Sequence, residues 1–486
     1  MTDEGKMKKV LITGATGYIG RRLLGKLSDR KDLAIRLLVR NKKKVGTHVV
    51  DTVDIIEGDT FDLDVLDRAV EGIDAAFYLI HSMGSGEDYK KLDRQSAENF
   101  RDACIRGGVK RIIYLGGLGS KETASKHLLS RIETGEVLSA RKEIQTICFR
   151  AGVIIGSGSA SFEIIQNLVQ KLPAMITPLW VKTKTQPISI KDVLSYLNAA
   201  LDLDIRENIV IDIGADPMDF RGMMLGTAKV MGLRRYLFPV PVLSPKLSSY
   251  WLILFTQVPY KIASALVEGL KSETLVLNDN AEKYFPDINP MSFSEAVQTA
   301  IDEMEQDQVV SRWCDSSAGN TCDVFSLDET KDAILHDRRV VPLQGISQGA
   351  VFRAACAIGG EQGWYRYNYL WRIRGFLDKI IGGYGLSRGK RSTWDLRIGD
   401  ALDFWKVADI RPGKRLLLLA QMKLPGRAWL EFEIHPDQLI QTAHFNPKGI
   451  WGRVYWYAVL PLHHYVFADL AKQIVAHASQ YDNTNQ

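Results

Sequence analysis

Val10-Leu11-Ile12-Thr13-Gly14-Ala15-Thr16-Gly17-Tyr18-Ile19-Gly20 is an apolar run that breaks into three glycines and resumes as Arg21-Arg22-Leu23-Leu24-Gly25-Lys26-Leu27. The run reads as a buried strand and the resumption as a helix, so the glycines lie on a strand-to-helix turn. Backbone N–H groups at a helix N-terminus carry partial positive charge, and residues without Cβ let a pyrophosphate approach them. In the spacing G-x-x-G-x-x-G, Gly14 turns the chain, Gly17 admits the phosphate and Gly20 packs helix on strand. Thr16, Tyr18 and Ile19 belong to the same turn and count with the glycines as cofactor-binding. A purely structural turn accounts for a lone glycine pattern equally well. Here the turn opens a series of strands and helices, and that context favours a nucleotide.

Leu33-Ala34-Ile35-Arg36-Leu37-Leu38-Val39-Arg40 reads as the second strand. Its C-terminal end faces the adenosine ribose in this kind of fold, where an NAD site places Asp or Glu. This chain offers Arg40, Asn41, Lys42, Lys43 and Lys44, while Asp32 lies at the opposite end of the strand. The cations suit a 2′-phosphate, so NADP(H) is favoured over NAD(H); a solvated basic loop is the plainer alternative. A third strand, Val53 to Asp59, ends in Gly58-Asp59. A helix closing at Gly72-Ile73-Asp74 and a fourth strand, Ala75 to His81, follow at parallel-sheet spacing.

These residues, from Gly14 to Gly20, Gly58-Asp59, Gly72-x-Asp74 and the fourth strand, resemble the NmrA-like, or atypical, branch of the short-chain dehydrogenase/reductase superfamily. The resemblance covers residues 8 to about 300 and implies an α/β, doubly wound parallel Rossmann sheet. It also implies that Asp59 approaches the adenine and that Leu79, Ile80 and His81 line the cofactor. A helix cap or a buried polar residue is the other reading of His81. Ala151 and Gly152, in Thr146 to Gly156, line the nicotinamide half by the same resemblance. Gln186-Pro187-Ile188-Ser189-Ile190-Lys191-Asp192-Val193 takes an architectural role, and capping segments are expected at about 157–185 and 215–285.

At the fifth strand, Arg111-Ile112-Ile113-Tyr114-Leu115, the family pattern fails. Active relatives carry a Ser after it and a Tyr-x-x-x-Lys on the next helix. This chain has Gly116-Gly117 instead of the serine, offering only backbone N–H groups, and no tyrosine between Leu118 and Arg150. His127 and Arg131 are spaced i, i+4 and share a helix face as Tyr and Lys would. A histidine can donate a proton to a developing alkoxide or enolate, and an arginine can hold a ribose or stabilise negative charge. A surface helix carries the same two residues without chemistry.

Of the 62 Lys+Arg and 57 Asp+Glu, residues 331–486 hold 21 and 13, and seven of ten tryptophans also fall there. This shift gives three segments: a dinucleotide-binding domain over 1–300, a linker over 301–332 and a second domain over 333–486. In the last, Arg427 to Ile434 alternates as a strand, Leu416 to Ala420 reads as a buried strand and Ala468 to Val475 as a closing helix. That order suggests an α+β helix-grip. Arg388-Gly389-Lys390-Arg391, Leu402 to Val407 and Pro447 to Gly452 resemble an uncharacterised family fused to such reductase-like domains in bacterial proteins and related to START-type lipid-binding folds. The resemblance implies an apolar cavity for a small apolar substrate or lipid-like ligand; tryptophans packed in a core are the alternative.

Five dispersed cysteines without C-x-x-C pairs and no recognisable N-terminal signal point to a reducing cytoplasm. No apolar run reaches the ~18 residues of a membrane span; the apolar, proline-broken region with Phe238-Pro239-Val240-Pro241 and Ser248-Ser249-Tyr250-Trp251 could cover an apolar substrate, pack on the second domain or touch a membrane surface, and packing is the commonest fate of such a stretch. His463-His464 are adjacent and diverge, so no metal is expected. Lys and Arg interspersed with acids give no nucleic-acid module. Two functions are therefore weighed: an NADP-dependent oxidoreductase for an apolar carbonyl, enone or quinone, and a catalytically silent NADP(H)-binding sensor or scaffold.

Overall fold

A computed structural model describes residues 7–42, 45, 53–80, 89–122, 124–178, 182–240, 269, 272–305, 310, 333–360, 362–380, 390 and 396–482. The chain divides into two compact units, one of Met1–Thr256 and Tyr260–Cys322 and one of Gln257–Pro259 and Asp323–Gln486.

The first unit begins β1 (Lys8–Thr13), α1 (Tyr18–Ser28), β2 (Leu33–Val39), β3 (Asp54–Glu57), α2 (Leu63–Val70), β4 (Ala75–Tyr78), α3 (Tyr89–Arg106), β5 (Arg111–Gly117), α4 (Lys126–Leu138) and β6 (Gln145–Ala151). It continues with β7 (Ile154–Ile155), α5 (Ala160–Lys171), β8 (Ala174–Pro178), β9 (Lys184–Thr185), β10 (Ile188–Ser189), α6 (Ile190–Ala199) and β11 (Ile209–Ile213). It closes with β12 (Met218–Asp219), α7 (Phe220–Val230), β13 (Tyr236–Val240), α8 (Asn280–Tyr284) and α9 (Phe293–Glu305). Seven parallel strands form one sheet in the order β11-β6-β5-β4-β1-β2-β3. Order reverses between β1 and β4, which is where a doubly wound sheet opens a crevice at its C-terminal edge.

Both faces of that sheet are covered, so its strands read as near-continuous apolar runs. Val10 and Ile12 of β1 pack into one core with Leu23, Leu24 and Leu27 of α1, whereas Leu11 enters the other with Leu66 and Phe100. Helix starts follow local chemistry. The side chains of Asp62, Ser125 and Ser189 accept backbone N–H groups at the first turns of α2, α4 and α6.

Several elements depart from the sequence reading. The third strand covers Asp54–Glu57 rather than Val53 to Asp59, and β4 ends at Tyr78, with His81 outside the described residues. Gly116 and Gly117 lie within β5. The expected continuous strand from Thr146 to Gly156 is broken at Gly152, where a Cβ would lie 2.8 Å from the Gln186 carbonyl oxygen. After this break, β7 leaves the main sheet to pair with β10. The expected linker from residue 301 begins inside α9, whose start is fixed by reciprocal bonds between Ser292 and Glu295. The expected capping segment at 215–285 includes residues outside those described.

The second unit runs β14 (Leu335–Pro342), α10 (Gln348–Ala357), a 3₁₀ turn (Tyr365–Tyr367), α11 (Asn368–Ile380), β15 (Ala401–Leu402), β16 (Trp405–Arg411), β17 (Arg415–Ala420), β18 (Gly426–Ile434), β19 (Gln438–Pro447) and α12 (Gly449–Asp482). Its antiparallel sheet has the order β14-β19-β18-β17-β16-β15. Asp403, at positive φ in the tight β15–β16 hairpin, accepts the Trp364 indole N–H at 2.7 Å. The closing helix is 34 residues long, far beyond the eight read as Ala468 to Val475. Its buried positions Phe467, Leu470, Ala471, Ile474, Val475 and Ala478 follow helical spacing and join the core cluster of this unit.

Candidate dinucleotide site

The crevice is built on what Gly14 and Gly20 lack. Gly14 has φ +71°, and a Cβ there would lie 2.5 Å from the carbonyl oxygen of Leu79. A Cβ on Gly20 would lie 2.2 Å from the carbonyl oxygen of Gly14. The two glycines thus let the turn seat between β4 and α1, as their spacing requires. Thr13 locks the two strand ends: its hydroxyl donates to the Phe77 carbonyl at 2.9 Å and accepts the Leu79 N–H at 3.3 Å. Gly17 caps α1 with extended backbone, without a side-chain cap and with no acid in the first turn. Those features leave a helix N-terminus suited to an anion. The cradle therefore fits the pyrophosphate of a dinucleotide: Gly14, Thr16, Gly17, Ile19 and Gly20 would hold it through backbone groups.

The other candidates gather along the same strand ends. Tyr78 lies in register with Thr13 and Tyr114, and Gly117 with Ala151, which brings Leu79, Ile80, Gly116 and Ala151 to one edge. Asp59 follows β3, half-buried, with one carboxylate oxygen accepting from the Phe61 N–H at 3.2 Å. Arg40 is exposed just past β2 and Lys42 is also exposed, whereas Lys43 and Lys44 lie outside the described residues. Gly152 is held against the loop of Gln186, whose side chain donates to the Ala215 carbonyl and accepts the Val276 N–H.

His127 and Arg131 both lie on α4, but Arg131 also binds the strand. Its guanidinium donates to the Leu115 carbonyl at 3.2 Å, and its backbone carbonyl accepts the Tyr114 hydroxyl at 3.0 Å. Burial raises the Tyr114 hydroxyl well above the usual phenol range. At Gly117 a Cβ would lie 2.5 Å from Leu128 Cδ1. The place that a serine side chain would take is filled by leucine.

Tyr18 is reached differently from its neighbours. Its ring lies under the Arg22 guanidinium at 5.1 Å, and its hydroxyl would be 2.7 Å from a Cβ on Gly156. Burial pushes that hydroxyl above the normal phenol range. Sequence reasoning missed the partners behind it. Arg22 donates to the Ser157 carbonyl at 2.8 Å and hydroxyl at 2.7 Å, and to Glu303 at 3.3 Å. The Ser157 hydroxyl donates to the same Glu303 carboxylate. The i, i+4 spacing of Tyr18 and Arg22 on the buried face of α1 was the available signal.

A doubly wound sheet with a glycine turn at its switch point is the arrangement of a dinucleotide-binding domain. Residues 14–148 match the family described as NAD(P)H-binding, and residues 330–470 match the family described as Protein of unknown function (DUF2867). Sanguinarine reductase of Eschscholzia californica is 25% identical over 260 residues, 45% of this chain and 92% of that protein. Ceramide reductase of Caulobacter vibrioides is 24% identical over 239 residues, 48% of this chain and 73% of that protein. The solved triphenylmethane reductase of Citrobacter sp. shares the fold with TM-score 0.50 and 20% identity, covering 60% of this chain and 99% of that one. Among the described residues no helix is long and apolar enough to cross a membrane.

Proposed function

We propose that this protein is an NADP(H)-dependent reductase of an apolar carbonyl, enone or quinone-type substrate, acting in the cytoplasm. The glycine cradle at the switch point carries the reading, because its steric fit leaves no room for side chains where a pyrophosphate needs backbone. Similarity to sanguinarine reductase over nearly all of that protein supports the reaction class. Arg40 and the lysines after it support the 2′-phosphate. When bound, the nicotinamide supplies hydride chemistry. Gly116 and Gly117 offer backbone N–H groups near the strand end, Arg131 positions α4 against β5, and His127 is the candidate proton donor to the substrate oxygen. For the second unit we favour a START-like helix-grip, supported by two helices after its first strand and a long helix closing the antiparallel sheet.

Titration of the purified protein is expected to give tighter binding of NADPH than of NADH. Arg40→Ala should narrow the gap by removing a charge-assisted contact worth roughly 1.5–3 kcal/mol. NADPH oxidation across carbonyls, enones and quinones should reveal turnover, and His127→Ala should lower it by about 10²–10⁴ with cofactor affinity nearly unchanged. Equal affinities for the two dinucleotides would remove the NADP argument, and unaltered turnover would remove His127. A second reading, a silent NADP(H) sensor or scaffold, draws on the leucine packed at Gly117. Cofactor binding without oxidation of NADPH by any member of the panel would decide for it.

A further inference from the structure

The outward face of α12 changes character partway along the helix. In its C-terminal part Lys472, Ser479 and Gln480 are exposed while Leu470, Ile474 and Ala478 are buried, the ordinary division of a helix between water and core. In its N-terminal part both sides are apolar. Trp456, Val466 and Phe467 are buried, and on the opposite side Ile450, Trp451, Val454, Tyr457, Leu462 and Tyr465 are each more than half exposed, Ile450 and Trp451 at 79%. Together with the exposed Ala458 and Pro461 they fall within an arc of about 140° at 3.6 residues per turn. A helix that is apolar all round belongs in surroundings less polar than water, so this arc needs a cover that the polar half of the same helix does not.

Charge and residue type point to what the cover is. From Gly449 to Ala468 the helix holds no acid, and the exposed cations Lys448 and Arg453 stand at the N-terminal end of the arc. The neighbouring α11, which meets α12 through Trp371 and Phe467 with ring centroids 6.0 Å apart, repeats the pattern. It leaves Tyr369, Ile373, Phe376 and Leu377 more than half exposed at i, i+4, i+7 and i+8, with Arg372 exposed among them. Its one acid, Asp378, is turned inward and accepts the Lys423 N–H at 2.8 Å. A second copy of this face would set cation against cation, which disfavours a symmetric pairing. Tryptophan and tyrosine, apolar bodies with a polar tip, are the residues that collect at the boundary between lipid and water.

We propose that the first half of α12, from Ile450 to Tyr465, docks flat on an anionic lipid surface. Ile450, Trp451, Val454 and Leu462 enter the boundary between headgroups and acyl chains, while Lys448 and Arg453 meet the phosphates. The helix lies on the surface instead of crossing it: among the described residues no helix is long and apolar enough to span a membrane. This surface belongs to the second unit and does not depend on the reductase reading.

The test floats the full chain with vesicles of phosphatidylcholine alone and of phosphatidylcholine mixed with phosphatidylglycerol. The mixed vesicles are expected to bind more tightly, and Lys448→Gln and Arg453→Gln should each lower that affinity by about 5-fold. Raising the salt toward ~1 M, where screening acts within about 3 Å, should abolish the preference. Ile450→Ser combined with Trp451→Ser removes apolar surface from positions already exposed in the fold, and should weaken binding by at least about 10-fold. Lys472→Gln, on the polar half of the helix, should leave binding unchanged. Equal binding to the two kinds of vesicle would overturn the proposal, as would binding to neither, or a double serine variant that binds like the wild type. Sedimentation showing a wild-type dimer that the double variant dissolves would give the face to a second copy and overturn it too.

Discussion

A Cβ at Gly14 would strike the Leu79 carbonyl, and this kind of constraint is legible in a sequence because only glycine meets it. His463 is the opposite case. Next to His464 it reads as one of two divergent side chains, and its character comes from neighbours distant in the chain: Trp456 and Phe467 on its own helix, Asp337 and Arg339 on β14. Burial depresses its pKa from 6.5 to about 4, while nearby Asp337 opposes and Arg339 assists the shift. The unfolded chain then binds the proton first. The resulting stability is fully present above about pH 6.5 and is lost as pH falls through 4. At full shift the loss is on the order of 3 kcal/mol. Urea midpoints measured from pH 7 to 4 should fall steeply in the wild type and less in His463→Phe. Identical slopes would show that another group carries the acid sensitivity.

At the scale of elements, α9 shows how an acidic stretch can belong to a packed helix. Composition from Asp302 onward resembles a solvated linker, but Glu303 reaches Arg22 of α1 and Ser157 beyond β7. Nothing in the spacing between residues 22 and 303 announces that pairing. The side chain of Arg22 is 5% exposed and that of Glu303 15%, so neutralising one leaves the other charge poorly solvated. Glu303→Gln is expected to cost about 3 kcal/mol in denaturant unfolding. Arg22→Met combined with Glu303→Leu should recover most of that loss, because it removes both buried charges. A Glu303→Gln protein as stable as the wild type would reduce the pair to a surface contact. By contrast, the near-continuous apolar strands and glycine turns of the first unit are local patterns, legible without knowledge of distant neighbours.

At the scale of the whole chain, each unit has its own core: Val10, Phe77 and Ile211 in the first, and Leu418, Phe432 and Leu470 in the second. Calorimetry should therefore resolve two transitions. NADPH should raise one and leave the other in place, since a ligand stabilises only the unit whose folded state it binds. A single transition raised by NADPH would mean that the units unfold together. Aromatic contacts such as those of Trp371 of α11 with Phe404 and with Phe467 of α12 depend on packing that no local pattern announces.

The antiparallel order β14-β19 has a consequence for how the chain is made. Among the described residues β14 pairs only with β19, and Pro342, opposite Gln438, emerges from the ribosome 96 residues before its partner. At about 5–20 residues per second, the nascent strand spends roughly 5–20 s without a mate. Its sequence suits that interval. His336, Asp337, Arg338 and Arg339 place polar and charged groups in succession, and Pro342 ends the strand without an N–H to offer a neighbouring chain. Among the described strands of the unit, the first to be synthesised thus waits for the last, and its run of polar and charged residues is the kind that discourages pairing with a neighbouring chain in the meantime.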